Sequence, residues 1–250
     1  MDKSSLSACN LSIILGGTKI LRDINFEIST GYWVSIIGAN AAGKSTLLRS
    51  LVGWHKPSNG SVAWKSEDPF RSCNLDVLLV PQPDDLPKWL TGKQILEICC
   101  NGRSRQLPTN WPEILEVLDG SAWLEKPVYA QSLGTRKKLC IASALCSSPA
   151  LLLLDEAFDG LDINSSARVR TYLKAQVKCG AFGILSASHA WESVFVDSDE
   201  VLFLSNGSIV RSLKSTQFVT LANQARTLQS AVLEAFRVES YPSGEGHGVA

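Results

Sequence analysis

The chain has 250 residues and a mass of 27.1 kDa, with 24 Lys plus Arg against 24 Asp plus Glu and 45% hydrophobic residues. That length suits one globular domain, and the composition excludes a disordered, collagenous or coiled-coil chain. Zero net charge without a basic run argues against a nucleic-acid partner. The longest apolar stretches, 77–80, 151–154 and 201–204, fall far short of the roughly 18 residues that a membrane helix needs. The start of the chain leads into no long apolar core, so no secretory signal is expected. Cys9, Cys73, Cys99, Cys100, Cys140, Cys146 and Cys179 contain no C-x-x-C pair and read as small core hydrophobes of a reduced, cytosolic protein.

Residues 11–15 and 20–28 are β-rich runs on either side of Gly16-Gly17, the punctuation of a hairpin. The apolar run 33–37 ends in a glycine-rich turn, and a helix is expected over 44–52. Further strands are expected at 62–64 and 76–80. Between Pro81 and Pro149 prolines recur, and helices are expected at 91–100, 111–118 and 134–147. Asn110 followed by Glu113 predicts an N-cap, and Gly120 a stop. Strand and helix then alternate at 151–155, 164–179, 182–186, 191–196 and 201–204. The expected fold is α/β, a parallel sheet interrupted by a helical insertion. Residues 239–250 hold Gly, Ser and Pro and are expected to form a flexible tail.

The chemistry starts at Gly38-Ala39-Asn40-Ala41-Ala42-Gly43-Lys44-Ser45, which fits G-x-x-x-x-G-K-[ST] and continues into Thr46. A chain that wraps an anion with backbone N–H groups needs small residues, with glycine where it turns sharply. The following helix adds its positive end, Lys44 neutralises the β- and γ-phosphates, and the Ser45 hydroxyl is placed for Mg2+. A buried strand before the loop and a helix after it separate a nucleoside-triphosphate site from a chance match.

With that loop in place the chain resembles the nucleotide-binding subunit of ABC (ATP-binding cassette) transporters over roughly residues 6–212. Further motifs follow in that family's order. Val80-Pro81-Gln82 resembles the Q-loop, which implies that Gln82 reaches Mg2+ and the attacking water. Gln131-Ser132-Leu133-Gly134-Thr135 is similar to the signature L-S-G-G-Q, matching at Ser132 and Gly134 and departing at the other three positions. Ser132 is expected to cap the helix that starts near Gly134, and the resemblance implies that this helix end faces the ATP of an opposite subunit. Leu151 to Glu156 resembles Walker B: Asp155 is expected to reach Mg2+ through water and Glu156 to act as general base. Asp159-Gly160-Leu161-Asp162 resembles the D-loop, with Asp162 its acid, and Ser188-His189 the H-switch, with His189 on the γ-phosphate. His55 and His247 are read as unrelated to the site.

The resemblance implies a P-loop NTPase with a RecA-like core (1–82 and 149–212), an antiparallel β subdomain, a helical subdomain (83–148) and a carboxyl-terminal helical segment (213–238). It also implies ATP and Mg2+ as ligands, a dimer of ATPases, and an integral membrane transport subunit as partner on the cytoplasmic face. The signature departures and a short helix over 230–236 point to export. Two readings of Trp89 stay open: it lines a groove with Leu86 and Leu90 for a helix of the membrane subunit, or it packs inside the subdomain. A family aromatic that stacks on adenine has no counterpart before Phe26, where Ile14 and Leu15 stand, so weak base selectivity is expected. The alternatives are a soluble assembly factor of the iron–sulfur type, disfavoured by Leu133, and a non-hydrolysing regulator, disfavoured by Glu156 and His189.

Overall fold

The structure, a computed structural model, describes residues 5–64, 76–101, 109–189, 191–217 and 220. The expected helix at 230–236 and the tail lie outside them, as does His247. Among the described residues no helix is long and apolar enough to cross a membrane.

Two sheets organise the chain. The smaller is antiparallel, in the order β2-β1-β4, from β1 (Ser5–Leu15), β2 (Thr18–Ser29) and β4 (Asn59–Trp64). The larger runs β5-β6-β7-β3-β8-β9, from β3 (Trp33–Ile37), β5 (Val77–Leu79), β6 (Leu151–Asp155), β7 (Gly183–Ser188), β8 (Glu200–Ser205) and β9 (Ser208–Lys214). Its pairings are parallel except β8 with β9. Parallel strands are covered on both faces, which is why β3 and β6 read as unbroken apolar runs. In β6 the alternation divides the leucines: Leu151 and Leu153 enter the core beneath the small sheet, Leu152 and Leu154 the core shared with the helices. Each fully buried leucine contributes about 1.5–3 kcal/mol.

The helices are α1 (Lys44–Leu51), α2 (Gly92–Asn101), α3 (Trp111–Val117), α4 (Leu133–Leu145), α5 (Ile163–Lys178) and α6 (Trp191–Asp197). Helices α2, α3 and α4 all fall between β5 and β6, where the insertion was expected. The register of the large sheet matters most for chemistry: Ile37 pairs with Ser188, and Asp155 with Ala187. Three chain segments therefore leave neighbouring strands at one carboxyl edge, where ligands bind in open α/β sheets.

Several local expectations are corrected. Asn110 makes no capping bond; its side chain donates to the Tyr172 hydroxyl at 2.7 Å, a tertiary partner that outbids the helix end. The stop is not Gly120, which is buried against Leu115; Asp119 takes the left-handed turn instead (φ 52°). Strand β9 was not anticipated, although Asn206-Gly207 forms the left-handed two-residue turn that joins it to β8. The groove of Leu86, Trp89 and Leu90 does not form: Leu86 is buried, Leu90 packs on the core, and Trp89 stands alone at 77% exposed.

Candidate active site

The phosphate loop joins β3 to α1 with two residues in the left-handed region, Ala41 (φ 64°) and Gly43 (φ 105°). A side chain on Gly43 would strain that turn and meet Leu21 at 2.8 Å. Gly38 is needed for another reason: a Cβ there would lie 2.3 Å from the Leu204 carbonyl of β8. Lys44 folds back along the loop and donates to the carbonyls of Gly38 (2.9 Å) and Ala39 (3.2 Å). The loop, with Asn40, Ser45 and Thr46, forms one wall of an open cleft of about 420 Å³ bounded by Ile20 and Glu156. Small residues, left-handed turns, a helix start and an ammonium group make a cradle that fits a triphosphate.

Asp155, at the buried end of β6, accepts from the Ser45 hydroxyl at 3.1 Å, and burial pushes its carboxyl above the ordinary carboxylate range. A hydroxyl and a carboxylate in contact are hard oxygen donors suited to Mg2+. Gln82, immediately before the helical insertion, donates to the Asp155 carbonyl at 3.0 Å. Glu156 takes a left-handed turn (φ 49°) immediately after the strand. His189 Nδ1 lies 3.4 Å from Glu156 Oε1 and 3.6 Å from Asp159 Oδ2. Ser45, Gln82, Asp155, Glu156 and His189 are thus gathered by strand register from segments far apart in sequence.

The signature lies elsewhere and lines no part of this cleft. Ser132 caps α4, accepting from the Thr135 amide at 3.2 Å while its hydroxyl also pairs with that of Thr135 at 2.8 Å. Gly134 sits against the Gly160 carbonyl, and Leu133 reaches Gly160 with half its surface exposed. Gln131 is buried and donates to the carbonyls of Trp123 (3.2 Å) and Lys126 (2.8 Å), so its place in the signature is structural. Asp162 caps α5 through the Ser165 amide at 2.9 Å, and the Ser165 hydroxyl together with that amide holds its carboxyl below the ordinary value.

A profile of the ABC transporter family matches residues 21–159. The chain belongs to that family. Among the relatives of this ABC ATPase, the zinc import ATP-binding protein ZnuC of Magnetococcus marinus is 33% identical over 80% of the chain and 73% of its own length. The nickel import ATP-binding protein NikE of Escherichia coli K12 is 29% identical over 88% and 87%. The solved structure of an ATP-binding subunit of an ABC transporter superposes with a TM-score of 0.81 at 22% identity, over 93% of this chain and 99% of its own. This ABC ATPase therefore has the cassette fold and ATP as its nucleotide.

Two residues against the site were not singled out from the sequence. Asp159 carries its carboxylate to His189, and Lys137, in the second turn of α4, donates to the Glu156 carbonyl at 2.6 Å. Asp159 opens the D-loop resemblance, in which Asp162 is the expected acid, and Lys137 stands in a run of three cations, Arg136-Lys137-Lys138, on a half-buried helix.

Proposed function

We propose that this ABC ATPase binds Mg2+–ATP between the phosphate loop and Glu156, closes head to tail on a second cassette, and drives transport by a separate integral membrane subunit. The observation that carries the reading is the set of contacts that joins Ser45 to Asp155, Asp155 to Gln82 and Glu156 to His189, with Ser45 and Glu156 lining the cleft beside the loop. Gly38 to Gly43 hold the phosphates through backbone amides, and Lys44 neutralises their charge. Mg2+ held by Ser45, Gln82 and, through water, Asp155 would screen the β- and γ-phosphates. Glu156 takes the proton of the attacking water, and His189 holds Glu156 and the γ-phosphate in line.

A second subunit is favoured by the place of the signature. The capped start of α4 is suited to an anion and lies outside the cleft of its own chain, and Leu133 in its first turn is half-exposed. Ser132, Leu133, Gly134, Thr135 and Asp162 would then meet the partner's ATP. The helical subdomain (83–148) is the surface for the membrane subunit. Trp89 and Tyr129 are 77% and 73% exposed there, and the Tyr129 amide donates to the carbonyl of Lys88, next to Trp89 in the chain, at 2.9 Å. Residues 1–82 and 149–212 form the ATPase core of this reading, with 213–238 a terminal segment. Export was expected from the signature departures; the zinc and nickel relatives carry import in their names, and direction is a property of the membrane partner.

The test is affinity purification of tagged Glu156→Gln protein from gently solubilised cells with ATP present. Slowed hydrolysis traps the closed state, and a multi-span membrane protein in stoichiometric yield is expected, its identity giving the direction. Recovery with soluble partners alone would replace the transporter reading with that of a soluble assembly factor.

A further inference from the structure

The carbonyls of the two neighbouring acids at the end of β6 are each held by a side chain, one from the last residue of the first core segment and one from the helical insertion. Gln82, before α2, donates to Asp155 O at 3.0 Å, and Lys137, on α4, donates to Glu156 O at 2.6 Å. The second bond has a specific cause in the backbone. Glu156 is in the left-handed region, which L-residues avoid, while its amide is held by the Ala187 carbonyl at 3.0 Å. That turn swings the Glu156 carbonyl out of the sheet ladder, where it accepts from the Asp159 amide at 3.3 Å and, more closely, from the Lys137 ammonium.

Lys137 is placed for that task and its neighbours for others. Arg136 pairs with Asp84 at 3.6 Å, and Lys138 bonds Asp119 at 2.5 Å and Ser165 at 2.7 Å. Lys137 turns inward and, with Gln82, Asp155 and Cys140, lines a cavity about one water in size between the Q-loop, the end of β6 and α4. A charge-assisted bond to a half-buried carbonyl is stronger than a neutral one and fixes the peptide plane it meets. The peptide plane after Glu156 in turn fixes the direction of its Cα–Cβ bond.

We propose that Lys137 is a positioning residue for hydrolysis: its ammonium holds the left-handed turn that aims the Glu156 carboxylate at the attacking water. This rests on the reading of Glu156 as general base. The bond also ties the aim of that carboxylate to the seat of α4, the helix whose other end carries Ser132. Hydrolysis on one side of the subunit thereby depends on how the signature helix of the same subunit is docked.

The experiment compares Lys137→Met, Lys137→Gln and Lys137→Arg in the full-length protein, measuring kcat, KM for ATP and melting temperature, alone and combined with Glu156→Gln. The expected result is a loss of kcat of tenfold or more in Lys137→Met, with KM within about twofold of the parent. Lys137→Arg, which keeps the charge and reach, restores most of kcat. In the Glu156→Gln background Lys137→Met produces no further loss, because a residue that acts through Glu156 has nothing left to position. The same fold loss in both backgrounds, or an unchanged kcat, would overturn the proposal. So would equal losses in Met and Gln that track a lowered melting temperature, since packing around Cys140 would then explain them. Wild-type hydrolysis by Glu156→Gln itself would remove the general-base reading instead, and is read independently of Lys137.

Discussion

Asp155 is a residue where burial and charge conflict. Its carboxyl is pushed up by burial, with Ser45 the main opposing influence. A carboxylate whose folded pKa lies above its unfolded value destabilises the fold while ionised, and that penalty disappears as pH falls through the folded pKa. Asp155→Asn is therefore expected to raise the melting temperature of the nucleotide-free protein at pH 7.5 by about 2–4 °C, on the order of 1 kcal/mol. The gain shrinks toward pH 4, while Mg2+-dependent hydrolysis falls at least about a hundredfold. Thermal melts across pH beside an ATPase assay check this, and a lower melting temperature at neutral pH would contradict it. Ile14 and Leu15 make a second prediction at this scale. Both are exposed on the first hairpin, and on the proposed reading they would offer the base apolar contact without stacking. ATP and GTP are expected to differ in affinity by less than about tenfold, or 1.4 kcal/mol, in a fluorescence competition titration.

Among the elements, α4 is held at its start and near its middle by different physics. At its start Ser132 satisfies the Thr135 amide, and Ser132→Ala is expected to lower stability by about 1 kcal/mol, read from a urea melt. Further along, Lys138 binds Asp119 in the turn after α3, and Arg168 of α5 approaches the same carboxylate with both oxygens at 2.7 Å. Burial alone would raise the Asp119 carboxyl, but the two cations hold it below its ordinary value. A lowered folded pKa gives stability that is present above the unfolded pKa and lost as pH falls through the folded one. Asp119→Asn should thus lower the melting temperature at pH 7, by no more than about 1 kcal/mol after solvent screening. The difference from the parent closes below pH 4; a difference that persisted at pH 3 would assign the effect to packing.

At the scale of the whole molecule, the signature residues do not line the cleft beside the phosphate loop, and on the proposed head-to-tail reading a single subunit would hold the parts of two incomplete sites. Glu156→Gln protein is expected to sediment as a dimer with Mg2+–ATP and as a monomer with Mg2+–ADP. Monomer in both states would contradict the head-to-tail reading. Trp89→Ala should change stability by less than about 0.5 kcal/mol, because the ring is exposed, and yet reduce recovery of the membrane partner.

Much of this was legible before any coordinates. The unbroken apolar runs of β3 and β6 announced strands covered on both faces, and the spacing of Gly38, Gly43, Lys44 and Ser45 announced a phosphate cradle. These are local features, set by backbone sterics and by side-chain periodicity within a few residues. The failures were non-local. Asn110 looks like a cap until Tyr172 is beside it, and Trp89 fits either a groove or the core until the packing of Leu86 and Leu90 leaves it outside both.

The sequence by itself determined which residues can do phosphate chemistry, because residue type and spacing decide charge, hydroxyl and backbone freedom. Only the tertiary structure decided which of them meet. Strand register set Asp155 beside Ala187 and Ile37 beside Ser188, and α4 brought Lys137 to the carbonyl of Glu156, nineteen residues away in the chain. Distances of that kind depend on how separate elements pack, and no pattern within one segment encodes them.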